Sequence, residues 1–348
     1  MTKRNLISEI REKNARSSSR FLHGNLELYA LESSFGKLRE TDSTLLALHV
    51  IGIAACIEVC VREAVKRLVD FGEPYLRRAE LFKEHIRFDF SLTKALSTGQ
   101  ITFGDLISHS LPVSRLDHVA SHFETLFNDD KTKRKFRHII SAVRRFAEPS
   151  DDELLGNEPP GSAQEKAPPL ITDAEGLLND IASIFEIRHL VAHEANFRAV
   201  SLSILACYLN SARTFVDALF ELVEQTLNPG VARSGFGCSI QEITKANEVH
   251  QKAQDAQSRI LEKILSIKSN GRQVSALFQE GVRIFDAYFE AEANLHIAIH
   301  GMTTGNALRN IEADVMKRLW QQRIEHLCEF EETVDFCAKI DQLKPDNS

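Results

Sequence analysis

Turn-forming residues are scarce: 348 residues hold 16 glycines and nine prolines, and the aromatic complement is 21 Phe with only four Tyr and one Trp. That is too little turn chemistry for a chain of many short strands, so an all-α protein is the expectation. None of the six cysteines (Cys56, Cys60, Cys207, Cys238, Cys328, Cys337) has a partner at CxxC spacing. This argues against a zinc ribbon, and several of them lie in apolar helical runs where a thiol behaves as a small hydrophobe, which fits a reduced, cytoplasmic chain. Apolar runs of the roughly 18 to 20 residues that a membrane span needs are not evident, and the first twenty residues are charged throughout, so neither membrane insertion nor export is expected. Neither sign of charge dominates. A formal net charge of −7 gives the whole chain no attraction for nucleic acid and leaves that role to local basic surfaces. Nucleotide transfer lacks its usual equipment, since there is no glycine-rich phosphate loop and no spaced acidic metal cluster.

Five of the nine prolines fall within residues 148–169, EPSDDELLGNEPPGSAQEKAPP, beside six acids and one lysine. This composition predicts a flexible insertion at about 148–170. Before it, DSTLLALHVIGIAACIEVCVREAVKRLVDF at 42–71 predicts a central core helix capped by Asp42 or Ser43. Further helices are expected at 4–35, 74–98 and 114–147. After the insertion, Thr172 and Glu175 have capping-box spacing ahead of an apolar-rich stretch. A break is expected near 191–201, with Ser201 capping a second helix that stops at Asn228, Pro229 and Gly230. Two domains follow, 1–230 with the insertion and 231–348, the latter a helical hairpin module with helices at 240–268, 272–299 and 306–339.

The most informative residues are Arg188, His189, Leu190, Val191, Ala192 and His193. An arginine fork can hold phosphate oxygens while a histidine titrating near neutral pH moves a proton, which is the minimum equipment for cutting RNA without a metal; the nucleophile is the substrate's 2′-hydroxyl. In an ideal helix positions five apart differ by about 140°, so a break at the motif is expected to let Arg188 and His193 converge. The bland alternative is a solvated helix end. His189 and His193, four apart, with Glu194 beside them offer a metal reading, but HxxxH without a further placed ligand is commonly a surface pair, and no metal or other cofactor is expected. Glu58 interrupts the stripe AACIEVCV and is the candidate to orient Arg188 across the bundle, or else merely reaches the surface. Residues 131–145 carry seven Lys or Arg and no acid. Lys131, Lys133, Arg134, Lys135 and Arg137 are therefore candidate RNA contacts, against the alternative of a solvated helix face.

With these residues in view, the chain resembles the HEPN superfamily. Arg188 with His193 matches its arginine, four to six residues, histidine hallmark; ALHVIGIAACIEVCVREAVKRLVD resembles its first core helix and SLSILACYLNSARTFVDALFELV its last, covering roughly residues 40–228. The resemblance implies an up-and-down helical bundle and a metal-independent endoribonuclease, often a toxin or phage-defence effector controlled by an antitoxin or a protein trigger. It also implies a homodimer in which two motifs face one composite cleft; the apolar residues beside the motif, Leu190, Val191 and Phe197, are the candidate two-fold contact because they would let two copies approach. His189 stands where the family usually has Asn or Asp, which favours the competing reading of a noncatalytic helical module that binds protein or nucleic acid. A second region, roughly 250–330, resembles the LprI-type lysozyme-inhibitor family through Phe285, Ala291, Glu292, Arg323 and Leu327, with Ala293 where a family cysteine belongs. From it a partner-binding helical module is expected, without lysozyme inhibition.

Overall fold

The computed structural model describes residues 6–16, 20–86, 88–129, 131–301 and 303–343. Among them there is no strand; the fold is all-α. In chain order the helices are α1 (Leu6–Arg16), α2 (Arg20–Phe35), α3 (Ser43–Phe71), α4 (Tyr75–Arg78), α5 (Phe90–Ser97), α6 (Phe103–Ser110), α7 (Leu116–Phe127), α8 (Phe136–Ser141), α9 (Asp151–Leu154), α10 (Ser162–Lys166), α11 (Ala174–Glu194), α12 (Leu202–Leu227), α13 (Gly235–Leu265), α14 (Gly271–Ile299) and α15 (Asn306–Leu343). The chain forms two compact units, Met1–Ala147 with Gln164–Pro229, and Glu148–Ala163 with Gly230–Ser348. The expected helix at 4–35 is thus described as α1 and α2, with residues 4, 5 and 17–19 outside the described set.

In the first unit α3 is the axis, packed by α2, α6, α11 and α12. Leu46, Val50, Ile53, Ile57, Val61 and Leu68 recur at helical spacing and are fully or almost fully buried, so the hydrophobic effect fixes this helix at the centre. Contrary to the reading of the bare sequence, α3 is long and apolar enough to cross a membrane; half of its most apolar stretch is buried against the unit's own helices. Asp42 stands at its N-cap, as expected, but makes no side-chain capping hydrogen bond. Its carboxylate instead accepts from the Arg39 N–H at 3.0 Å. Cys56 and Cys60 face this core, and burial pushes their thiols up to about 11 and about 12, which makes them unreactive.

Two devices tie α6 to α3. The Arg62 guanidinium donates to the carbonyls of Ser108, His109 and Leu111 at the end of α6, satisfying acceptors that a helix terminus leaves open. At the other end the Gly104 N–H donates to Asp70 at 2.8 Å, and a Cβ at Gly104 would lie 2.4 Å from the Lys66 carbonyl oxygen. Backbone blocks that space, so Gly104→Ala should cost about 1–3 kcal/mol, read as a lowered urea midpoint for the first unit.

The segment 148–163, expected as a flexible insertion in the first domain, is instead a folded piece of the second unit. Its acids anchor backbone. Ser150 and Glu153 form a reciprocal capping box, Glu153 also accepts from Ala163 N–H at 3.0 Å, and Glu148 accepts from Ser234 N–H at 2.7 Å. Carboxylates read from composition as solvated are thus satisfied by orphan N–H groups.

The rest of the second unit is a three-helix hairpin. Ile260, Ile264, Leu327 and Val334 form its core between α13 and α15, and Arg259 and Lys263 on α13 clamp Glu331 on α15 at 2.8 Å each. These hydrogen bonds hold the Glu331 carboxyl down at about 2. A carboxyl depressed by folding contributes stability that is full above its ordinary range and lost as pH falls through about 2. Acid titration of unfolding should therefore show the second unit weakening between about pH 4.5 and 2, and Glu331→Gln should flatten that slope; an unchanged slope would mean that the clamp contributes nothing. Of the residues quoted for the LprI-type resemblance, Arg323 lies over the Phe285 ring at 5.0 Å and Leu327 is buried. Ala291 is exposed and Glu292 sits 3.6 Å from His296.

Candidate functional site

The motif sits near the end of α11. This helix starts at Asp173, whose carboxylate accepts from Gly176 N–H at 2.9 Å; the cap is one residue beyond the Thr172 expected, because a carboxylate at 173 already meets the third N–H. Leu177, Ile181, Ile184, Phe185 and Val191 face the core. Arg188 comes off the same helix toward α3, where its guanidinium lies 3.4 Å from Glu58 Oε1. The expected pairing across the bundle is therefore in place. Glu58 is in ion-pairing range but outside hydrogen-bond geometry at that oxygen. Burial raises its carboxyl above the ordinary range, against the opposing pull of Arg188 and Arg62. The Arg188 side chain as a whole remains about a third exposed.

The break does not fall where convergence required it. Helix α11 runs unbroken through both motif ends to Glu194 and stops at Ala195, which takes the left-handed conformation at φ 55°. Ser201 then caps α12 as expected, its hydroxyl accepting from Ile204 N–H. With the helix intact, Arg188 and His193 point about 140° apart within one chain. What the helix does bring together is His189 and His193, one turn apart, ring centroids 4.7 Å from each other. Both are exposed. Among the described residues no group of three His, Cys, Asp or Glu side chains is placed to hold a metal ion, so Glu194 does not complete a ligand set with the two imidazoles. The apolar neighbours also need correction: Val191 is 3% exposed and belongs to the core, because it lies on the buried stripe with Ile184. Leu190 and Phe197 are half-buried and keep an accessible edge.

The basic run is not one helical face. The expected helix at 114–147 is interrupted: α7 ends at Phe127, Asn128 and Asp129 brace a loop by accepting from the N–H groups of Lys131, Thr132 and Arg134, and only Phe136–Ser141 is helical. Phe136, Ile139 and Ile140 enter the core, which turns the cations outward. Lys133, Arg134 and Lys135 line an open groove of about 990 Å³ together with Arg77 and Arg78 of α4. Three carboxylates share it, Asp117, Glu124 and Asp129, and Lys135 and Arg78 pair with two of them at 3.5 and 3.4 Å. Arg137 points elsewhere, to Glu175 at 3.1 Å. Sequence reasoning missed Arg77 and Arg78, although an adjacent arginine pair after Pro74 was a visible signal. Glu175, which Arg137 meets, and Arg188 are 13 positions apart on α11, about 20 Å along its axis; the groove itself is lined by residues 77–81, α7 and residues 128–135.

No family model, curated protein or solved structure matches the chain.

Proposed function

We propose that the protein is a metal-independent endoribonuclease of HEPN type, acting in the cytoplasm as a toxin or phage-defence effector. The observation that carries this reading is the Glu58–Arg188 pair beside two exposed, adjacent imidazoles. Glu58 sets the direction of the guanidinium, which binds the scissile phosphate. The substrate 2′-oxygen attacks phosphorus while a neutral imidazole accepts its proton; the bond to the 5′-oxygen breaks and that oxygen takes a proton from an imidazolium. The products are a 2′,3′-cyclic phosphate and a 5′-hydroxyl.

Because Arg188 and His193 diverge on one helix, the reading assigns the cut to a homodimer in which Arg188 of one protomer meets His193 of the other, with Leu190 and Phe197 as the nearest apolar contact. The second unit receives a protein trigger or antitoxin. That same divergence, with His189 inside the motif, favours a second reading: a noncatalytic module binding RNA or protein through the α4 and α7–α8 groove. Incubating purified protein with mixed RNAs in EDTA and mapping the ends decides between them. Metal-free cuts with cyclic-phosphate ends support the nuclease, and intact RNA bound to the protein supports the module.

A further inference from the structure

Helix α14 carries more apolar surface than its own unit covers. One flank packs inward: Phe278 stacks on Phe330 at 5.7 Å, and Phe285 and Phe289 lie against Trp320 at 5.0 and 5.4 Å. A second apolar stripe does not. Leu277 is 68% exposed, Ile284 57%, Tyr288 51%, Leu295 53% and Ile299 68%. With Gly281 and Ala291, Leu277, Ile284, Tyr288 and Leu295 follow the alternating three- and four-residue spacing of a coiled-coil seam, about a quarter-turn away from the flank that packs inward, and Ile299 extends the stripe one turn beyond it. Gln279, Glu280, Arg283, Asp286, Glu290 and Asn294 take the remaining, polar side.

We infer that this outer stripe of α14 is a self-association seam, pairing with the same stripe of a second copy in antiparallel fashion. Two arguments select a second copy. The five open side chains expose on the order of 500 Å² of apolar surface, at the upper end of the largest patch an ordinary monomer shows. Doubled across a two-fold axis this is about 1,000 Å², the lower bound for a specific interface. The order of residues is also self-complementary. In an antiparallel pair with Ile284 facing the other copy's Tyr288, Leu277 falls opposite Leu295 and Gly281 opposite Ala291, so large residues meet large ones at both ends and small ones let the backbones approach between them. A charged peptide has no counterpart here, because no charge interrupts the stripe between Leu277 and Tyr288.

The inference does not rest on the ribonuclease reading, and its test reads association, not cleavage. Sedimentation of the full chain over a concentration series should show self-association through the seam, whether or not a second contact forms beside the α11 motif. Ile284→Glu and Leu295→Glu should each weaken that association at least tenfold with the helical CD signal kept, while Glu290→Ala on the polar side leaves it unchanged. Arg188→Ala and His193→Ala should associate like the wild type. A wild-type monomer throughout, or unchanged dissociation of both seam variants, would overturn the inference. So would loss of the helical signal in Ile284→Glu with Leu295→Glu still dimeric, since the stripe would then be covered within the chain.

Discussion

Arg188→Ala and His193→Ala are each expected to lower RNA cleavage by a factor of at least a hundred while the helical CD signal and the thermal midpoint stay close to wild type. The magnitude follows from the chemistry assigned to each: a positioned proton carrier contributes on the order of 10²–10⁴-fold, and a preorganised charge on the scissile phosphate a comparable factor. Structure argues that folding will survive. The Arg188 side chain is about a third exposed and His193 lies on the outer face of α11, so neither truncation opens a core cavity. His189→Ala separates the two imidazoles. A smaller loss than in His193→Ala leaves His193 as the principal proton carrier; the reverse order moves that role to His189. Glu58→Gln should lower kcat more than it raises KM, because it releases the direction of the guanidinium without removing its charge. Full activity in a contaminant-free His193→Ala preparation would remove the mechanism.

The second large effect is on binding. Replacing Lys133, Arg134 and Lys135 together with Arg77 and Arg78 by alanine should weaken RNA affinity by tenfold or more at low salt, similarly for different sequences. The slope of log affinity against log salt should flatten by about 0.7 for each single-strand phosphate that the protein no longer neutralises. Arg137→Ala alone should do little, since its guanidinium is occupied by Glu175. Cleavage at saturating RNA should survive, because neither Arg188 nor His193 lines the groove. An unchanged salt slope would reduce the groove to ordinary surface solvation, in which Asp117, Glu124 and Asp129 already answer the cations.

Which parts were legible in the sequence follows from which forces act locally. Helix α3 could be read because a long apolar periodicity buries itself whatever its neighbours are. Ser201 and the stop at Asn228 to Gly230 were legible because caps and breakers act through their own backbone. The Glu58–Arg188 pair was reachable, since a carboxylate within an apolar stripe needs a partner. What failed depended on tertiary context. Residues 191–194 carry no helix breaker, and Val191 belongs to the buried stripe, so α11 continues to Glu194 and Arg188 and His193 point apart. The acidic segment at 148–163 looked solvated by composition, but Glu148 and Glu153 each found backbone donors. The basic run looked like one helical face until Phe136, Ile139 and Ile140 claimed the core and forced the cations into a loop. The outer stripe of α14 was visible as periodicity, yet only the structure shows that its own unit leaves it open.

At the centre of the proposed function stands a composite cleft, in which Arg188 of one protomer meets His193 of the other. Mixing equal amounts of the Arg188→Ala and His193→Ala proteins tests it most directly. Each variant alone lacks every complete pair, but a mixed dimer carries one intact Arg188–His193 site. Random exchange should therefore restore about a quarter of wild-type cleavage, with cyclic-phosphate ends and in the presence of EDTA. Activity no greater than the sum of the two separate variants, measured after sedimentation has shown that protomers exchange, would contradict it.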